Sequence, residues 1–67
     1  MSMKADIDEV FDAMLEKHPA LTPDILAAKF GVYEALEWDG AAGDVVREMI
    51  DHGLTVDGNM LCYLDSC

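Results

Sequence analysis

Apolar residues recur at helical spacing near the start of the chain: Ile7, Val10, Phe11, Met14 and Leu15 stand at i, i+3, i+4, i+7 and i+8. That spacing lays a single stripe along a helix. Asp6 and Glu9 put acids into the opening turn, where the helix dipole favours them. His18-Pro19 supplies the stop, because the residue before proline is pushed out of the α region. The pattern predicts a helix over 5–17. Thr22-Pro23-Asp24 reads as a second start, with a capping hydroxyl, Pro at the first helical position and an acid behind it. Ile25, Leu26, Ala27, Ala28 and Phe30 carry that helix over 23–30. Gly31 would cost about 1 kcal/mol relative to Ala inside a helix, so a turn is expected there. Residues 32–38 then predict a short helix, or one continuing past Gly31, closed by Asp39-Gly40. Val45, Val46, Met49 and Ile50 form the stripe of a helix over 42–52, which His52-Gly53 ends. Finally Asp57-Gly58 stands between two apolar runs, the strongest short hairpin signal, and predicts a β-hairpin over 54–64.

These elements make one small domain over 1–67. The expected class is α+β, mostly α: three to four short helices followed by a C-terminal hairpin. A small all-α bundle is the alternative. No repeat, linker or low-complexity tract interrupts the chain.

The stretch EKHPALTPDILAAKFGV resembles the opening of a winged helix-turn-helix domain. Leu26, Ala27, Gly31 and Val32 sit where that family's "L-A-x-x-x-G-V" pattern wants them. The ending VVREMIDHGLTVDGNMLCYL is similar to the family's third helix running into a two-stranded wing. The resemblance implies close helix crossing at Ala27, a turn at Gly31 and a recognition helix over 42–52. The intervening YEALEWDGAAG is longer than the family's usual turn. The third helix also presents Asp44, Glu48 and Asp51 where a DNA-reading helix presents Arg, Lys, Asn or Gln. Only Arg47 accompanies them, and the expected wing contains neither Lys nor Arg.

Charge changes the picture most. Four Lys and Arg against 14 Asp and Glu give 4 − 14 = −10 in 67 residues. Such a chain is not expected to grip nucleic acid or an anionic membrane by charge, which places a DNA-binding regulator last among the readings. At 52% hydrophobic and 27% charged the composition is that of a folding chain. A chain of this length leaves little room for a substrate pocket of several hundred Å³. No apolar run approaches the roughly 20 residues that span a bilayer, and no secretory pattern opens the chain. A soluble, cytoplasmic protein with reduced thiols is expected, since Cys62 and Cys67 lie too close together to staple distant segments.

Candidate chemistry is sparse. His18, His52, Cys62 and Cys67 lack the spacing of a structural zinc site, and no D-x-D-x-D-G loop offers a calcium cage. Ser2 and Ser66 occupy no strained elbow. Leu64-Asp65-Ser66 faintly resembles the phosphopantetheine serine of acyl carrier proteins, but at the wrong place in the chain. No enzyme, metal or cofactor is expected.

The acids form the more informative constellation. Asp44, Glu48 and Asp51 share one helix face. Asp8, Glu9, Asp12 and Glu16 line another, and Glu34 and Glu37 cluster with Asp39. A solvated surface accounts for them most simply. Yet a body about 28 Å across matches a duplex segment carrying about 16 phosphates, so acids gathered on one side would imitate nucleic acid. In size and charge the chain is similar to small acidic phage-encoded inhibitors, some anti-CRISPR proteins among them, a likeness of composition alone. The expectation is a non-enzymatic inhibitor or regulator that occludes a basic, nucleic-acid-binding surface of a partner protein. Those acids would steer it, and Tyr33 and Trp38 would anchor it. The alternative is a structural or dimerisation module with solvated acids.

Overall fold

Ser2 starts the first helix: its hydroxyl accepts the Ala5 N–H at 3.5 Å and caps α1 (Met3–Lys17) in the computed structural model, which describes residues 2–64. The His18 N–H closes α1 on the Met14 carbonyl at 2.8 Å. Pro19 opens a single 3-10 turn, Pro19–Leu21, and α2 (Thr22–Ala35) follows directly. Thr22 is the first residue of α2 and not its cap. Its hydroxyl donates to the Pro19 carbonyl at 2.7 Å and ties the turn to the helix.

α2 runs unbroken through Gly31, which corrects the expected division into helices over 23–30 and 32–38. Gly31 lies on the exposed face with open space around it. Leu26, Phe30 and Tyr33, at i, i+4 and i+7, are all buried in the core. Packing of that face outweighs the roughly 1 kcal/mol that glycine costs a helix. Ala27 is exposed and mediates no helix crossing. The Glu37 N–H reaches the Glu34 carbonyl and the Trp38 N–H the Tyr33 carbonyl, both at 3.0 Å, which is the paired pattern of a Schellman stop. Glu37 holds the left-handed position with φ 60, a place usually given to glycine.

α3 (Asp39–Asp51) begins earlier than the pattern predicts. Asp39-Gly40 forms its first turn and does not close the preceding helix. The carboxylate of Asp39 there faces the positive end of the dipole. α3 ends on a second Schellman pair, Gly53 N–H to Ile50 carbonyl and Leu54 N–H to Met49 carbonyl, with Gly53 at φ 74.

The expected hairpin over 54–64 is absent, and among the described residues there is no strand. Asp57 instead caps a one-turn helix, α4 (Gly58–Leu61), accepting the Met60 N–H at 2.9 Å. Asp-Gly suits a hairpin only when alternating runs flank it. Here Met60, Leu61, Tyr63 and Leu64 are spaced i, i+1, i+3 and i+4, the period of a helix. With no wing, the winged-helix architecture gives way to a small all-helical bundle.

The core lies chiefly between α2 and α3, where Leu26, Ala42 and Val46 have no exposure at all. α1 adds Phe11, with Ile7 and Leu15 half-buried beside it. The C-terminal segment folds back over this pair. Tyr63 sets its ring edge-on to Phe30 at 5.2 Å, and its carbonyl lies so close to Gly43 that a Cβ there would approach it to 2.7 Å. Cys62 is disulfide-bonded, which overturns the reduced-thiol expectation for that residue; Cys67, Asp65 and Ser66 lie outside the described residues. The body is flattened, 34 × 30 × 16 Å. Its accessible surface of 4495 Å² exceeds the roughly 4,200 Å² of a compact chain this size. The excess includes apolar side chains of α1, notably Met3 and Val10.

Two glycines in helix interiors therefore predict opposite outcomes for the same change. Gly31→Ala should raise unfolding free energy by about 0.5–1 kcal/mol, because space is open and the helix gains propensity. Gly43→Ala should lower it by about 1–3 kcal/mol, because the methyl displaces the Tyr63 backbone. Urea midpoints of the two variants, compared with the parent, check both.

Candidate functional site

Lys29 is the buried charged residue among the described residues, 6% exposed. Its place follows from helix spacing: it stands three residues after Leu26 and four before Tyr33, on the face that α2 turns inward. Its Nζ lies 3.5 Å from Asp8 Oδ1 on α1 and 3.5 Å from Glu48 Oε2 on α3. Tyr33, 1% exposed, donates its hydroxyl to Asp8 Oδ1, with the Lys4 carbonyl 3.4 Å away. Lys4 Nζ donates to Asp8 Oδ2 at 2.9 Å and sits 5.9 Å from the Tyr33 ring centre. One carboxylate thus receives three partners from two helices. Among the described residues, no buried side-chain nitrogen or oxygen lacks a hydrogen bond.

A polar cavity of about 90 Å³ opens among these groups, with Asp44 also on its wall. At about 30 Å³ per water it holds roughly three. That is far below the several hundred Å³ of ordinary ligand sites.

The electrostatics follow from this packing. Burial pushes the Asp8 carboxyl up, but the bonds from Tyr33 and Lys4 and the charge of Lys29 together hold it below its ordinary value. The Tyr33 phenol is driven well above its usual range, first by burial, then by its bond to Asp8 and by the charges of Asp8, Asp12 and Asp44. The hydrogen bond to Asp8 raises Lys4 above a free lysine. Tyr63, donating to Glu34 at 3.3 Å, is also raised, by desolvation and by the Glu34 charge.

The residues singled out from the sequence fall into three groups. Asp8 and Glu48 are half-buried and matched internally, and among the described residues every ion pair involves one of them. Glu9, Asp12 and Glu16 on α1 are exposed, as are Asp44 and Asp51 on α3 and Glu34 and Glu37 at the end of α2. Tyr33 and Trp38 face inward, stacked with ring centres 5.8 Å apart, Tyr33 in the core and Trp38 half-buried against it. The structure brings the α1 and α3 acids together: Asp8, Asp12, Asp44 and Glu48 surround the same Lys29–Tyr33 pair. Lys4 and Lys29 were missed as members of the site. The signal was there for Lys29, a lysine at a core position of an otherwise apolar helical face. Among the described residues no group of three or more His, Cys, Asp or Glu could hold a metal ion. Also among them, no helix is long and apolar enough to cross a membrane.

Because Asp8 titrates below its unfolded value of about 3.9, the stability it contributes is complete above that pH. It is lost as pH falls through the lower, folded value. Tyr33→Phe removes one of the bonds that stabilise the carboxylate. The variant should lose about 1.5–3 kcal/mol at neutral pH, with a smaller further loss on acidification than the parent. Urea unfolding at pH 7 and at pH 3 measures both differences.

Comparison with protein-family models, with curated proteins and with solved structures finds no match to this chain, so the geometry above carries the functional argument alone.

Proposed function

We propose that this protein is an acidic protein-binding inhibitor or regulator, without chemistry of its own, that covers a basic, nucleic-acid-binding surface of a partner. One observation carries the reading. Asp8 and Asp12 of α1 converge with Asp44 and Glu48 of α3, while two of the cations near them, Lys4 and Lys29, are already engaged. Lys29 lies between Asp8 and Glu48, and Lys4 is bonded to Asp8, so neither is free to neutralise Asp12, Asp44 or Asp51. Arg47 is the cation that remains beside Asp44 and Asp51, so the field left facing solvent is predominantly negative.

The dimensions support the same reading. The long extent of 34 Å equals a duplex segment bearing about 20 phosphates, against a net charge of −10 on the protein. Such a face speeds encounter with a cationic surface and excludes the nucleic acid that would otherwise occupy it. Tyr33 and Trp38 serve the inhibitor from within: stacked under the face, they set the positions of the acids above them. Glu37 adds a carboxylate at a left-handed position that glycine would hold with less strain.

The test is partner capture by cross-linking and mass spectrometry, at 50 mM and 500 mM salt. The parent would be compared with Asp12→Asn, Asp44→Asn, Asp51→Asn, whose exposed sites take no part in the ion pairs of Lys29. The expected result is a basic nucleic-acid-binding protein bound by the parent at low salt, at least tenfold weaker in the triple variant and in high salt. Equal retention by both proteins at both salts would overturn the proposal.

A further inference from the structure

On the other flank of α1 lies a second surface that the acidic face does not use. At 100° per residue, Met3, Ile7 and Val10 point away from Asp8 and Asp12. With Phe11 of α1 and Val32 of α2 they line an open groove of about 290 Å³ whose walls are almost wholly apolar. Met3 is 59% and Val10 58% exposed, although both belong to the hydrophobic stripe of their helix. Among the described residues, Val32 is the α2 side chain on its wall, and the exposed residues Ala28, Gly31 and Ala35 of the same helix are small. The charged group on its wall is Asp6.

We infer that this groove receives an apolar helical segment of a partner protein, flanked by Lys or Arg. The inference rests on the reading of this chain as a protein-binding module and adds a second contact to it. The groove is bounded by two helices and runs over two turns of α1, which fits a helix presenting large apolar anchors at i, i+3 or i+4 and i+7. Charge decides between occupants. A second copy would bring another −10 to the contact. Of its four basic residues, Lys4 and Lys29 are held by Asp8 and Glu48, which leaves Lys17 and Arg47 to meet Asp6. A basic-flanked helix pairs with Asp6 and with the acids of the whole chain, and gains association rate from them.

Three synthetic 14-residue peptides test this on the intact protein, with amide NMR shifts to locate binding. The first carries Leu at i, i+4 and i+7 with Lys at the remaining surface positions. The second replaces the Leu with Gln, and the third replaces the Lys with Glu. The expected result is that the first perturbs Met3, Ile7, Val10, Phe11 and Val32, and that Val10→Asp weakens it at least tenfold while leaving the melting temperature within a few degrees. Met3→Asp, exposed on the same wall, provides a second variant and should also weaken it. The Gln and Glu peptides should leave those residues unmoved.

Shifts from the Leu peptide confined to Asp12, Asp44 and Asp51 would overturn the groove and leave the acidic-face reading standing. Equal binding of the Glu peptide in the groove would overturn the basic flank. Concentration-dependent dimerisation abolished by Val10→Asp, seen by sedimentation, would overturn the choice of a partner over a second copy.

Discussion

A lysine placed inside a protein of this size must be matched by charge, and the arrangement of the helices follows from how that is done here. Lys29 leaves the inward face of α2 with a carboxylate from α1 on one side and one from α3 on the other. A buried ion pair is weak evidence for net stability, since desolvation offsets much of the attraction. Its effect is on geometry: Lys29 takes one partner from each of two helices, so both are held in register against α2. Tyr33 extends the constraint by bonding the same Asp8 carboxylate, and Trp38 packs on Tyr33 as the chain turns into α3.

That constraint sorts the acids by role. Without it, the carboxylates of α1 and α3 would be two independent helical stripes on a soluble surface. With Asp8 and Glu48 drawn inward to Lys29, their neighbour Asp44 is carried to the rim of the cavity, and Asp12 and Asp44 both act on the Tyr33 phenol. The same cations that neutralise the inner pair are thereby withdrawn from the outer acids. An interior neutralisation and a predominantly negative exterior are two consequences of a single packing decision. The flattened shape adds the complementary surface: a body 16 Å through its short axis cannot enclose the whole apolar stripe of α1, and the uncovered part becomes the groove.

Much of this was legible in the chain. The spacing of Ile7, Val10, Phe11, Met14 and Leu15 and of Val45, Val46, Met49 and Ile50 reports two amphipathic helices, because burial on one face imposes the helical period on any sequence. Pro19 and Gly53 mark stops whose physics is local. The acid stripe of α3 and the excess of negative charge are likewise properties of order and composition. They limit the partner classes before any tertiary contact is known.

Where the sequence reading failed, a local preference met a tertiary opponent. Gly31 and Asp57-Gly58 carry real signals for turns, each worth about 1 kcal/mol. Burial of Leu26, Phe30 and Tyr33 together exceeds the first, and the second was redirected when Asp57 found a helix end to cap. The partners of Tyr33 and Lys29 could not be told from spacing, because an aromatic or a lysine at a core position looks the same whichever distant helix brings it a carboxylate. The sequence determined the helices and the sign of the surface, which depend on neighbours along the chain. The tertiary structure decided which acids are spent inside and which face outward, because that depends on helices distant in sequence meeting at Lys29.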